Sequence, residues 1–207
     1  TLPTDSRLVP ENVIDLIYRE RYETQEAEVI QKELRQGDRV LELGAGIGFI
    51  GSLAAKICGS GNVRTYEANS NLEPLIRRTY ELNGVTPDLH MKAIASSTGP
   101  VTFYQNDNVV SSSLVDRDFG GDTTVNGVSL SEVISEYMPD TIVCDIEGAE
   151  VDVFKGLDLS KVRTVLIELH PKIVGAAAND HFIESLSTAG LAFAYGRKEK
   201  VAFFKRA

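Results

Sequence analysis

The chain has 207 residues, 43 % of them apolar and 25 % charged, with a formal net charge of −9 at pH 7. That is the balance of a globular domain with one sizeable core, and the acidic excess argues against a nucleic-acid groove, which needs clustered Lys and Arg to neutralise phosphates. No apolar run approaches the ~20 residues that cross a bilayer, and the opening "TLPTDSRLVPEN" has neither the basic nor the apolar region of a signal peptide, so no membrane contact is expected.

Residues 10–35 read as two helices, with Pro10 near the start of the first and Gly37 as the stop after the second. This N-terminal helical segment, residues 1–36, is expected to form one domain with residues 37–207. "DRVLELG" has the pattern of a buried strand, "FIGSLAAKIC" of a helix and "NVRTYEA" of a second strand, and a helix runs from Asn71 to about Asn83. "DLHMKAIA" and "GPVTFYQ" are short strand-like pieces on either side of a turn at Gly99. Residues 105–127 are polar and weakly periodic, the mark of a long functional or mobile loop. "SLSEVISEYM" then reads as a helix, "DTIVCDIEG" as a strand, "EVDVFKGL" as a short helix, "VRTVLIELH" as a strand and "ANDHFIESLSTAG" as a helix. "LAFAYGRKEKVAFFKR" closes the chain as a hairpin; its basic residues suit a solvated turn as well as an anion site. Alternating strands and helices predict an open, mostly parallel sheet covered on both faces, and the hairpin makes one late strand antiparallel. Cys58 and Cys144 lie in apolar surroundings and read as buried reduced thiols, hence a cytoplasmic compartment.

The stretch "VLELGAGIGFIGSL", residues 40–53, places Gly44, Gly46 and Gly48 directly after the first strand. A dinucleotide fingerprint needs glycine at position 49, where Phe49 stands, and a phosphate loop needs Gly-Lys-Ser/Thr, whereas the next lysine is Lys56. Glu42 would repel a pyrophosphate and attract the amino end of an amino acid. Glu67, about 20 residues past the loop, is placed to accept hydrogen bonds from both hydroxyls of a ribose. These features favour a cofactor without phosphate, S-adenosylmethionine, over a tight strand–helix turn with an incidental acid. The candidate cofactor residues are Glu42, Gly44, Ala45, Gly46, Gly48, Glu67, Ala68, Asn69, Ala93, Ile94 and Asp145.

"VCDIEGAEVDVFKGL", residues 143–157, resembles the Asp-Val-Glu-Gly-Ala-Glu signature of the FkbM family of S-adenosylmethionine-dependent methyltransferases. "VLELGAGIG", "YEANSNLEPLIRRTYELNGV", "VVSSSL" and "LIELHP" add to the resemblance, which spans residues 40–171. Many members carry Asp-Xaa-Gly-Ala-Asn in the first loop, where this chain has Glu42 and "GAGIG". The resemblance implies a Rossmann-like class I methyltransferase fold: an α/β domain with a mostly parallel seven-stranded sheet, a C-terminal antiparallel hairpin and helices on both faces. It also implies O-methylation of a hydroxyl on a small molecule, often a sugar or natural product.

Methyl transfer to oxygen is a displacement in which positioning and removal of the hydroxyl proton matter most. Asp145 is the first candidate for contacting the cofactor or the acceptor hydroxyl, and Glu147 the second, as orienter or base; the alternative is that both acids cap the following helix. His170, at the end of the next strand, is a candidate general base or a solvent-facing strand end. Asp145, Glu147, Glu150 and Asp152 crowd eight positions, but along a strand end and a helix turn they cannot all point to one ion, so no required metal is expected. Acceptor choice is assigned to the N-terminal helices around Tyr18, Tyr22 and Glu23 and to the loop Gln105–Asp122, where Ser111, Ser112 and Ser113 offer hydroxyl partners and Gly120 and Gly121 would let the loop close. The expected partner is a small-molecule acceptor; oligomeric state stays open, a homodimer included. Two other readings remain: a methyltransferase-like module that holds cofactor without catalysis, and a nicotinamide-dependent oxidoreductase, disfavoured by Phe49 and the hairpin.

Overall fold

The computed structural model describes residues 1–5, 9, 11–105, 114, 121–197 and 200–206. Two helices open the chain, α1 (Glu11–Tyr18) and α2 (Thr24–Glu33), followed by β1 (Val40–Leu43), α3 (Phe49–Cys58), β2 (Val63–Tyr66), α4 (Glu73–Asn83) and β3 (Asp88–His90). Next come β4 (Ala93–Ala95), β5 (Gly99–Gln105), β6 (Gly121–Ser129), α5 (Leu130–Tyr137), β7 (Thr141–Cys144), α6 (Glu150–Val153) and β8 (Thr164–Glu168). The chain ends with α7 (Pro171–Val174), α8 (Ala176–Thr188), β9 (Ala192–Gly196) and β10 (Val201–Lys205).

Seven strands form one sheet in the order β3-β2-β1-β7-β8-β10-β9. The first five are parallel, and β10 runs antiparallel to both β8 and β9, as the closing hairpin predicts. Central strands β1 and β7 are buried at every residue, which is why they read as continuous apolar runs and not as alternating ones. Successive side chains still point to opposite faces. Leu41, Ile142, Ile167 and Phe204 pack with α5, α6 and α8 on one side. Val40, Val143, Leu166 and Phe203 pack with α2, α3 and α4 on the other, where Val13 of α1 joins them.

A second sheet departs from expectation. Strands β4, β6 and β5 form a separate three-stranded sheet, with β4 parallel and β5 antiparallel to β6. Nine residues of β6 thus begin at Gly121, inside the stretch read as irregular. The pairing register sets Val101 opposite Val125 and Phe103 opposite Thr123; Thr123, Val125 and Gly127 alternate with more exposed Asp122, Thr124 and Asn126. The period of two is present, but so small a set of apolar residues carries it weakly. The one-turn α7 after Pro171 was not foreseen either. Among the described residues, no helix is long and apolar enough to cross a membrane.

Candidate active site

The chain order reverses between β1 and β7, and open α/β sheets bind ligands at the carboxyl ends of the strands at such a switch point. The Asp145 amide donates to the Leu43 carbonyl at 2.9 Å, drawing the end of β7 against the glycine loop. Gly44, at φ 87°, has no room for a side chain: a Cβ there would collide with the carbonyl oxygen of Asp145. The amides of Gly44 and Ala45 donate to the Tyr66 carbonyl at 2.9 and 3.0 Å, which fixes the loop to the end of β2. Above this junction opens a cavity of about 650 Å³.

Of the candidate cofactor residues, Gly44, Gly46, Glu67, Ala68, Ala93, Ile94 and Asp145 line that cavity. Glu67, 8 % exposed, accepts the Gly46 amide at 3.0 Å with one carboxylate oxygen and the Asn69 amide at 2.8 Å with the other. Burial pushes its pKa up and these backbone amides pull it down. Each oxygen keeps a second lone pair. Ala45, Gly48 and Asn69 stand behind the wall: Gly48 caps α3, and the Asn69 side chain accepts the Asn71 amide at the start of a 3₁₀ turn. Glu42 is also away from the cavity. It is buried beneath the loop, where its carboxyl accepts the Gly51 amide; burial and, less strongly, Glu67 raise its pKa. This acid therefore braces the loop from below, and the ammonium contact foreseen for it has no counterpart in its position.

The N-terminal segment closes the other side. Tyr22 and Glu23 stand over Gly46, the Tyr22 oxygen 3.3 Å from where a Cβ of Gly46 would be. Burial, then the charge of Glu23, raises the Tyr22 pKa; burial, then Asp145 and Glu26, raises that of Glu23. Glu20, Glu23 and Glu147 all line the cavity with positive φ, at 54°, 46° and 56°. Non-glycine residues in this region cost about 1–3 kcal/mol each and collect at functional sites. Tyr18 is 73 % exposed and is not among the described residues of the cavity wall. Ser111, Ser112, Ser113 and Gly120 lie outside the described residues; Leu114 of the same stretch lines the cavity.

Asp145 and Glu147 line the cavity floor, with His170 behind them. Its Nδ1 lies 2.9 Å from Oε1 of buried Glu150, which also accepts the Gly148 amide at 3.1 Å. Its Nε2 faces Asp145 at 3.8 Å and Glu147 at 3.6 Å. Burial alone would lower the His170 pKa, but the Glu150 hydrogen bond and the surrounding carboxylates raise it to about 9. Burial, then Glu168 and Glu147, pushes Asp145 well above the usual carboxylate range. Asp145, Glu150 and His170 each offer a ligand atom within 4.8 Å of the others. Two of the four crowded acids thus converge, and His170, just past the end of the neighbouring strand, joins them.

A family model for the methyltransferase FkbM domain matches residues 42–190, well over half of the chain. The chain belongs to the FkbM methyltransferase family. As such a methyltransferase it uses S-adenosylmethionine, which sets aside the nicotinamide-dependent reading. No curated protein sequence matches it. Solved structures share the fold at low identity. A precorrin-6y C5,15-methyltransferase from Geobacter metallireducens is similar with a TM-score of 0.55 at 10 % identity, over 99 % of this chain and 95 % of that one. A putative O-methyltransferase from Klebsiella pneumoniae gives 0.55 at 14 %, over 99 % and 92 %. The magnesium protoporphyrin IX methyltransferase of Synechocystis, solved with bound S-adenosylmethionine, gives 0.51 at 12 %, over 95 % and 83 %.

Sequence reasoning on this methyltransferase missed Glu20, Glu26, Lys92, Phe103, Glu168 and Lys200, all on the cavity wall. Glu168 had a signal, standing two residues before His170 in "LIELHP". The others are ordinary surface-type or core residues whose place at the site is set by the fold.

Proposed function

We propose that this methyltransferase methylates a hydroxyl oxygen of a small polyhydroxylated molecule, a sugar or natural product. The observation that carries the reading is a single cavity that joins the glycine loop and Glu67 to the carboxyls of Asp145 and Glu147, under Tyr22 and Glu23. The residues suit the cofactor. Glu67 keeps acceptor capacity for the ribose hydroxyls, and a wall rich in carboxyls and without a phosphate loop suits a ligand with an ammonium and a sulfonium. When bound, S-adenosylmethionine supplies an electrophilic methyl group.

The chain's own residues then have distinct tasks. Gly44 and Gly46 let the backbone come close to the ligand. Tyr22 and Glu23 cover the glycine loop and keep water out. Asp145 receives the acceptor's hydroxyl proton, its carboxyl bordering the cavity beside Glu147. Glu147 orients the acceptor from the same floor. His170 acts through these two carboxyls, since among the described residues it does not line the cavity.

Incubation with methyl-labelled S-adenosylmethionine and a panel of sugars, polyols, phenols and amines tests the proposal. Label in a methyl ether supports it. Label in amines alone overturns hydroxyl specificity, and tight retention of cofactor with no transfer to any acceptor favours the non-catalytic module.

A further inference from the structure

The three groups on the cavity floor are spaced in a way that hydrogen bonding does not account for. Nε2 of His170 stands 3.8 Å from Asp145 Oδ1 and 3.6 Å from Glu147 Oε2. Both gaps are too long for hydrogen bonds, which for these atoms lie near 2.7–3.2 Å. Asp145 Oδ1 is itself buried with no hydrogen-bond partner among the described residues, while the rest of that side chain is open to the cavity. A buried, unsatisfied carboxylate oxygen is costly. Two ligands that share a metal with bonds of about 2.1–2.2 Å stand roughly 3.4–3.6 Å apart at tetrahedral angles, which is close to these separations.

The far side of the imidazole is already fixed. With Nδ1–H donating to Glu150, whose carboxylate a backbone amide holds in place, Nε2 is the lone-pair nitrogen facing Asp145 and Glu147. A carboxylate behind a histidine in this manner sets the tautomer and orientation of a metal-binding imidazole. The charges agree: with the imidazole neutral, the carboxylates of Asp145, Glu147 and Glu150 crowd negative charge at the floor, which a divalent ion reduces. One imidazole with carboxylates suits manganese or zinc better than calcium, which takes all-oxygen sets.

We propose that His170 Nε2 and Asp145 bind a divalent transition-metal ion at the cavity floor, with Glu147 the next carboxylate facing Nε2 and Glu150 positioning the imidazole from behind. The expectation of no metal rested on acids strung along one segment; the ligands come from the ends of two adjacent strands. An ion there borders the cavity and would contact an acceptor oxygen.

The test uses the full chain after dialysis against EDTA. Calorimetric titration with MnCl2 and separately ZnCl2 is expected to give one saturable site in the micromolar range. Asp145→Asn and His170→Gln are each expected to weaken it at least tenfold, and Glu150→Gln by about 10–100-fold. Pulsed paramagnetic resonance of the Mn2+ complex is expected to show one imidazole nitrogen. The chain has three histidines, so a His90→Gln/His181→Gln double variant is expected to keep that signal, which carries the test if a floor variant fails to fold. Absence of saturable binding of either ion, absence of nitrogen coupling, or loss of that coupling in the double variant overturns the proposal. Binding of S-adenosylhomocysteine, followed in parallel, reports the cofactor side separately, so a missing metal leaves the methyltransferase reading standing.

Discussion

Glu67→Gln separates the two tasks assigned to this carboxylate. In the structure its two oxygens hold the Gly46 and Asn69 amides at 3.0 and 2.8 Å. The glutamine carbonyl can keep one of these bonds, but its NH2 group then confronts a second donor. Leaving one buried amide without an acceptor costs about 1–3 kcal/mol. For a domain of this size that lowers Tm by roughly 2–12 °C. The ribose hydroxyls lose a charged acceptor as well. A charge-assisted hydrogen bond is worth about 1.5–3 kcal/mol, so affinity for S-adenosylhomocysteine is expected to fall about 10- to 150-fold. Thermal melting without ligand reads the first effect, and calorimetry on the folded variant reads the second. A folded Glu67→Gln protein that binds S-adenosylhomocysteine within twofold of the parent chain would refute the ribose assignment, while a lowered Tm would still bear out the loop contacts.

Gly46→Val is expected to abolish S-adenosylhomocysteine binding in calorimetry, because a β-branched residue is strained at φ 53° and its side chain would crowd the Tyr22 hydroxyl. Asp145→Asn is expected to lower kcat on a proven acceptor by about 10²–10⁴-fold, the span of general-base catalysis; Tm should not fall, since the amide removes repulsion from Glu168 and Glu147. Glu23→Gly is expected to raise Tm by roughly 2–4 °C, as relief of about 1 kcal/mol of left-handed strain would, and to weaken cofactor binding by uncovering Gly46; a lower Tm would count against stored strain. Cys58 and Cys144 are free and buried, and burial, then the charge of Asp38, pushes Cys58 up to about 11. At pH 8 only about one Cys58 in a thousand is then thiolate, so iodoacetamide is expected to label neither thiol in the native chain and both in urea, with native Cys58 labelling rising as pH approaches 11.

What the sequence declared well was written in residue types that the backbone itself requires. The glycine loop, the buried runs of β1 and β7 and the closing hairpin are local necessities, and each appears where its residues stand. Strand β6 was hidden because Thr123, Val125 and Gly127 present almost no apolar contrast to the side chains between them. Glu42 illustrates a different limit. All four residues of β1 are buried, so its pattern does not tell which face turns toward a ligand, and charge alone suggested the wrong side. The Glu150–His170 pair joins residues twenty positions apart. It exists because β8 lies beside β7 with Cys144 opposite Ile167, a register that no local pattern prints.

The strained acids were illegible for a further reason, and it bears on what the cavity is for. Left-handed backbone is signalled by Gly or Asn, yet Glu20, Glu23 and Glu147 adopt it here. Local preference and fold therefore conflict at three acids of one cavity, where burial first and neighbouring carboxylates second raise the pKa values of Glu23 and Asp145. Natural sequences remove such conflicts where nothing depends on them. On the two proposals above, a cationic cofactor beneath Tyr22 and Glu23 and a divalent ion at Asp145 and His170 would relieve that strain and crowding of acids. On this view the free chain is less stable than its packing alone would allow, and the cofactor and the ion should each raise its Tm, non-additively when supplied together, because Asp145 and Glu23 already act on each other.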